Sequence, residues 1–191
     1  MNLIPSASQT VGPFFNFALA TNRRLGILAG EGAMGERIRL AFRVVDGDGA
    51  PTPGDSLIEL WQADARGRYA HALDPHAAEA DPSFYGFGRL QTDSSGECVF
   101  ETVKPGPVAD GSGGSQAPHI NVAVFARGLL KQLYTRVYFE GEAANATDAV
   151  LAEVPEVRHA TLLARPAAGE PGTWYIEIRL QGEAETAFFD V

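Results

Sequence analysis

Apolar and polar residues alternate in short runs along most of the chain, and Gly, Pro and Asp bound those runs. Alternation with a period of two puts successive side chains on opposite faces of an extended backbone, so each run predicts a half-buried strand. The clearest covers 37–44, where Ile38, Leu40, Phe42 and Val44 share one face and Arg37, Arg39 and Arg43 the other. Asp46-Gly47-Asp48-Gly49 then supplies turn chemistry. Further strands are predicted over 56–61, 97–103, 120–125, 132–139, 158–164 and 174–180. Helical periodicity is confined to the Ala-rich stretch 143–152 and a less regular segment, 12–30. The predicted fold class is mainly β: a two-sheet antiparallel β-sandwich with an N-terminal arm and few short helices.

Two stretches depart from the strand pattern. Residues 1–35 carry Phe14, Phe15 and Phe17 among Ser, Pro and Gly. Aromatics at that density need cover, and packing on a partner chain is the natural source of it. Residues 36–191 then form the sandwich domain. The stretch 108–118 contains Gly111-Ser112-Gly113-Gly114-Ser115 and reads as a flexible loop, since no Lys-Ser/Thr pair and helix follow to make a phosphate cradle.

Composition narrows the setting. A chain of 191 residues with 45% hydrophobic content supports one core. Lys and Arg total 15 against 24 Asp and Glu, and a net charge of −9 disfavours nucleic acid and anionic membrane surfaces as partners. No apolar run approaches the ~20 residues of a membrane span. The first ten residues show no basic start or apolar stretch of an export signal, so a cytoplasmic location is expected. Cys98 lacks a partner for an internal disulfide and alternates with Val99 and Phe100 as a buried thiol would.

The chain has four histidines. His71 and His76 flank Leu73-Asp74-Pro75 and belong to a surface loop, and His159 is structural. His119 follows Pro118 at the start of an apolar strand, and Asn121, two residues on, shares its face. A His-x-His there would make a two-ligand metal clamp. His-x-Asn pairs an imidazole with a neutral amide, which is a weak ligand for a hard, highly charged cation and equally a hydrogen-bonded core pair.

The stretch Ser56-Leu57-Ile58-Glu59-Leu60-Trp61-Gln62-Ala63-Asp64, followed by a Gly67 turn that delivers Tyr69, is the most distinctive. After it come Gly88-Arg89, Thr92-Asp93-x-x-Gly96, Thr102-Val103-Lys104-Pro105-Gly106 and Ala117-Pro118-His119-Ile120. In this order the motifs resemble those of the intradiol ring-cleavage dioxygenases, and the resemblance runs from about Ser8 to the C-terminus. In iron-bearing members of that family two tyrosinates and two histidines hold Fe(III). Carried over, the first Tyr is Tyr69 and the first His is His119, while the second Tyr falls on Val108 and the second His on Asn121. Losing a phenolate and an imidazole removes anionic and nitrogen donors from a ferric centre, so no metal is expected on this chain.

The resemblance therefore implies a non-catalytic member that completes the pocket of a homologous, iron-bearing β chain in an αβ heteromer of higher order. The implied substrates are protocatechuate and O2, and the implied product is 3-carboxy-cis,cis-muconate. Ser8-Gln9-Thr10-Val11-Gly12-Pro13-Phe14 is similar to an arm that lines the partner's pocket, and Phe125-Ala126-Arg127-Gly128 to a segment that lends it an arginine. Thr10, Gly12, Pro13 and Arg127 are thus the candidate substrate-binding residues, with Arg127 to meet a carboxylate and Arg136 its competitor. Two alternatives stay open: a self-sufficient iron enzyme that recruits Tyr134 or His71, and a non-catalytic binding module.

Overall fold

The computed structural model describes residues 7, 9–10, 12–52, 54, 56–111 and 113–190. Its elements are α1 (Pro13–Leu19), β1 (Arg37–Val45), β2 (Ser56–Gln62), β3 (Phe87–Gln91), β4 (Glu97–Val103), β5 (Val108–Ala109), β6 (Ser115–Gln116), β7 (His119–Ala126), β8 (Leu133–Phe139), α2 (Ala149–Ala152), α3 (Glu156–His159), β9 (Leu163–Pro166) and β10 (Thr173–Arg179). Eight strands form one sheet in the order β3-β2-β7-β8-β9-β10-β1-β4, and β5 and β6 form a separate hairpin.

The fold is mainly β with few short helices, as the alternation predicts, but the sheet is neither split in two nor wholly antiparallel. β3-β2-β7-β8 is joined to β9-β10-β1-β4 by a short parallel pairing, Tyr138↔Leu163 and Phe139↔Ala164. β1 and β10 also run parallel, with Leu40 beside Trp174. Alternation decides which face of a strand is apolar. It is silent on which strand lies alongside and in which direction, so these pairings escape a reading of local pattern.

Both halves contribute to one core. Leu40, Phe42 and Val44 of β1, Phe100 of β4 and Ile176 of β10 meet Ile58 and Leu60 of β2 and Ile120 and Val122 of β7. The Phe42 and Phe100 rings meet edge to face at 5.8 Å. Each such side chain, removed from water, contributes about 1.5–3 kcal/mol before chain entropy is counted. A smaller cluster of Ala117, Tyr138, Leu151, Val154, Leu162 and Ala187 lies on the opposite face of β8, because Tyr138 points away from the core that holds Val137 and Phe139.

Several local expectations change. The predicted strand 158–164 is largely helical: α3 and a 3-10 turn over Ala160–Leu162 precede the short β9. Pro155, with φ −54°, stands before α3 with its dihedral preset, and the Thr161 hydroxyl donates back to the Arg158 carbonyl at 2.7 Å. The stretch 108–118 contains a tight hairpin in which Val108 pairs with Gln116. Ser112 lies outside the described residues. β3 was not anticipated; Gly88 interrupts its pattern because Leu28 closes on it, leaving no room for a larger residue.

Within 1–35, the described residues split into two parts. Leu28 and Ala29 are core residues, and Ile27 and Ala29 bridge to Glu101 and Phe84. The earlier part forms α1, whose Phe15 packs on Phe125 with ring centroids 5.4 Å apart, while Phe17 remains exposed. Ser8 and Val11 of the arm motif lie outside the described residues. No helix among the described residues is long and apolar enough to cross a membrane.

Candidate functional site

The Trp-Gln-Ala-Asp motif builds a scaffold for Tyr69. The buried Gln62 amide donates from Nε2 to the Val103 carbonyl at 3.0 Å and accepts from the Thr102 hydroxyl at 2.8 Å, so it ties the end of β2 to β4. The Asp64 carboxylate accepts from the backbone of Arg66 (2.8 Å), Arg68 (3.0 Å) and Asp81 (2.9 Å), closing the turn that follows. Gly67 has φ +76°, and a Cβ there would lie 1.8 Å from the Pro107 carbonyl oxygen. Gly106 is also closely approached, a Cβ there lying 2.5 Å from the Ala65 carbonyl oxygen, and its N–H donates to the Asp64 carbonyl at 2.9 Å. At Gly67 only glycine satisfies both the left-handed backbone and the approach. The turn carrying Tyr69 and the segment carrying Val108 are thereby clasped, which explains why Gly-x-Tyr and Lys-Pro-Gly occur together.

Tyr69 stacks on Trp61 with centroids 5.6 Å apart and planes 17° from parallel. Trp61 therefore serves the outer face of the sheet and lies outside both core clusters. In register, Trp61 faces Asn121 and Asn121 faces Arg136 across β2, β7 and β8. The Asn121 amide donates from Nδ2 to the Tyr69 hydroxyl at 3.4 Å, a long contact, and no hydrogen bond joins Tyr69 to His119. Burial pushes the Tyr69 phenol above its ordinary pKa; the Arg136 charge and the Asn121 amide act against that rise, and Asp74 adds to it.

His119 is 1% exposed. Its Nδ1 lies 2.7 Å from the Ala117 carbonyl oxygen, which only accepts, so Nδ1 carries the proton and Nε2 the lone pair. Burial first, and then the Arg136 charge, lower its pKa to about 4, with the Ala117 hydrogen bond and Asp148 opposing. Asp148 anchors this corner by accepting from the Ala117 N–H (2.7 Å), the Leu151 N–H (2.8 Å) and the Tyr138 hydroxyl (3.1 Å). Nothing in the local sequence marks Asp148 except its place ahead of an Ala-rich helix, where it acts as the N-cap of α2.

The four positions do not fit a ferric ion. Val108 has no side-chain donor atom and Asn121 turns its N–H toward the phenol, so two of the four positions offer no phenolate or imidazole ligand. A fixed cation already stands nearby, since the Arg136 guanidinium acts on both Tyr69 and His119. Arg136 itself donates from Nη1 to Gln116 Oε1 at 2.8 Å and to the Tyr138 hydroxyl at 3.5 Å. The alternative ligands do not repair the set. His71 Nδ1 accepts from the Leu73 N–H at 3.2 Å, and the Tyr134 hydroxyl accepts from Gln132 at 2.8 Å. Among the described residues no cluster of three His, Cys, Asp or Glu side chains has the geometry to hold a metal.

A second locus lies at the other end of β7. Thr10 Oγ1 accepts from the Gly128 N–H at 2.8 Å, and with the Phe15–Phe125 contact this seats the arm beside the exposed Arg127. Thr10, Gly12 and Arg127 are thus gathered on one exposed surface, and Pro13 opens α1 next to them. Arg136 is not part of that surface. At ~3.3 Å per strand residue, Arg127 stands about 20 Å along the strand from Asn121.

The remaining candidates are structural. Cys98 is buried, and burial pushes its thiol up to about 12, which leaves it unreactive. His159 lies in α3, its Nε2 bonded to the Val154 carbonyl at 2.8 Å.

Comparison with known proteins places these features in context. A family model described as "Dioxygenase" matches residues 11–182. The protocatechuate 3,4-dioxygenase alpha chain of Burkholderia cepacia is 42% identical over 197 residues, covering 96% of each chain. The beta chain from the same organism is 38% identical over 134 residues, covering 69% of this chain and 57% of that one. Among solved structures, the dioxygenase domain of a dioxygenase carbohydrate-binding protein fusion from Streptomyces sp. SirexAA-E superposes with a TM-score of 0.62 at 25% identity, covering 96% of this chain and 100% of that one.

Proposed function

The chain belongs to the intradiol ring-cleavage dioxygenase family, and from that membership we propose that it is the iron-free α subunit of a protocatechuate 3,4-dioxygenase. Its partner is a homologous β chain that carries the Fe(III) and performs the ring opening. The pairing is αβ, repeated in a higher-order heteromer in the cytoplasm, and residues 1–35 up to the core segment at Leu28 act as the arm that packs on the partner.

One observation carries this reading. Arg127, Thr10 and Gly12 share an exposed surface about 20 Å along β7 from Asn121, too far to serve this chain's own quartet. An exposed arginine at that distance is placed to meet a carboxylate in a neighbouring chain's site, which supports the reading. Arg127 meets the protocatechuate carboxylate through a charge-assisted pair, Gly12 and Pro13 form a low wall against the ring, and Thr10 holds the Arg127-Gly128 corner. These contributions act by binding and orientation, which convert an encounter into a positioned reaction.

Co-expression with an iron-bearing homologue that keeps both tyrosines and both histidines tests the proposal. The two chains co-purify and cleave protocatechuate, whereas this chain alone is colourless and iron-free. A coloured, iron-loaded single chain, or failure to co-purify, overturns it.

A further inference from the structure

A cavity of about 660 Å³ opens on the outer face of β2, β7 and β8, between Trp61, Phe87, Tyr134 and Phe189, with Asn121 and Arg136 at its sheet wall. Its charges are unevenly matched. Glu59 is paired with Arg89 at 2.6 Å, Arg158 with Glu185 at 3.5 Å, and Asp190, at the exposed rim, with Lys131 at 3.6 Å. Glu153 is exposed at the edge. Arg136 differs from all of these, for its two hydrogen-bond partners, Gln116 and Tyr138, are neutral. Both bonds come from Nη1, so the Nε–Nη2 edge, the fork that grips a carboxylate, has no acceptor among the described residues.

We propose that this cavity is a ligand site of the chain itself and binds a small aromatic carboxylate on Arg136 without a metal. The buried Asp148 carboxylate reaches this guanidinium only through the Tyr138 hydroxyl, so its direct partners are neutral, and a carboxylate is the anion whose two oxygens fit the remaining edge. The aromatic walls select a flat apolar body over phosphate or sulfate. The site differs from the arm surface in position and in its arginine, so it stands whether or not Arg127 serves a partner.

Calorimetric titration of the full chain with benzoate, which lacks the ring hydroxyls that chelate iron, tests this. One benzoate binds per chain, and the neutral isostere benzamide binds at least about tenfold more weakly. Arg136→Gln weakens benzoate by a similar factor, and Arg136→Lys restores part of it. Circular dichroism establishes that the variants are folded, and if Arg136→Gln is not, the benzamide comparison decides alone. Absence of saturable benzoate binding, equal binding of benzamide, or unchanged binding by folded Arg136→Gln overturns the proposal.

Discussion

The Asn121 amide nitrogen faces the Tyr69 hydroxyl at 3.4 Å, so each of these two positions finds its polar partner in the other. The phenol accepts, keeps its proton, and rests on Trp61. Tyr69→Phe then removes one long hydrogen bond and leaves the stack in place. The cost to stability is at most about 1 kcal/mol. Turnover of the assembled enzyme stays near the parent value. Denaturant titration and steady-state rates check both, and a loss of turnover beyond tenfold would show that the phenol takes part in the chemistry.

His119 makes stability depend on pH. Its folded pKa is about 4, below the ordinary 6.5, so between those values the unfolded chain takes up a proton that the native imidazole refuses. Stability is therefore unaffected above 6.5, falls as pH drops through the window, and has lost roughly 3 kcal/mol from this group at the lower end. His119→Asn keeps a short donor and cannot titrate. The difference in unfolding free energy between parent and variant, followed from pH 7 to 4, shrinks by that amount; a constant difference refutes the assignment.

Gly67 carries a heavier structural load than the tyrosine it positions. A Cβ 1.8 Å from the Pro107 carbonyl, at φ +76°, forces the two clasped turns apart. Gly67→Ala destabilises the fold by more than about 3 kcal/mol, in the range of strained core substitutions. Thermal unfolding measures it, and a variant as stable as the parent contradicts the clasp.

Arg127→Gln, in the assembled enzyme, raises KM about tenfold or more for protocatechuate with little change in kcat, because the contact is made to the ground state and the transition state alike. Catechol, without the carboxylate, is turned over equally by parent and variant. A matching loss for catechol would assign Arg127 a structural role instead.

Much of this was readable from residue order, and the parts that were not share a cause. The strand faces of β1, β4 and β7 follow from alternation, and the deficient quartet follows from Val108 and Asn121 standing where Tyr and His would be expected. Arg136 could be named as a cation but not located, since its distance from Arg127 depends on β7 and β8 being antiparallel neighbours with Asn121 opposite Arg136. Asp148 passed unnoticed for the same reason. Its hydrogen bonds reach Ala117, Tyr138 and Leu151, and the first of these joins segments remote in the chain. Trp61 follows an apolar run, yet it falls on the face that β2 turns outward, which only the sheet pairing reveals.

The parallel seam between β1 and β10 has a bearing on how the protein is made. Leu40 must wait for Trp174 before its side of the sheet is complete, and closing so long a loop is slow. During synthesis β1 and β4 emerge before β10, so the apolar face that Phe42 and Phe100 share stays incomplete until Ile176 and Ile178 of the last strand have followed. That interval is when the nascent chain is most exposed to aggregation, because apolar surface without its covering strand associates readily.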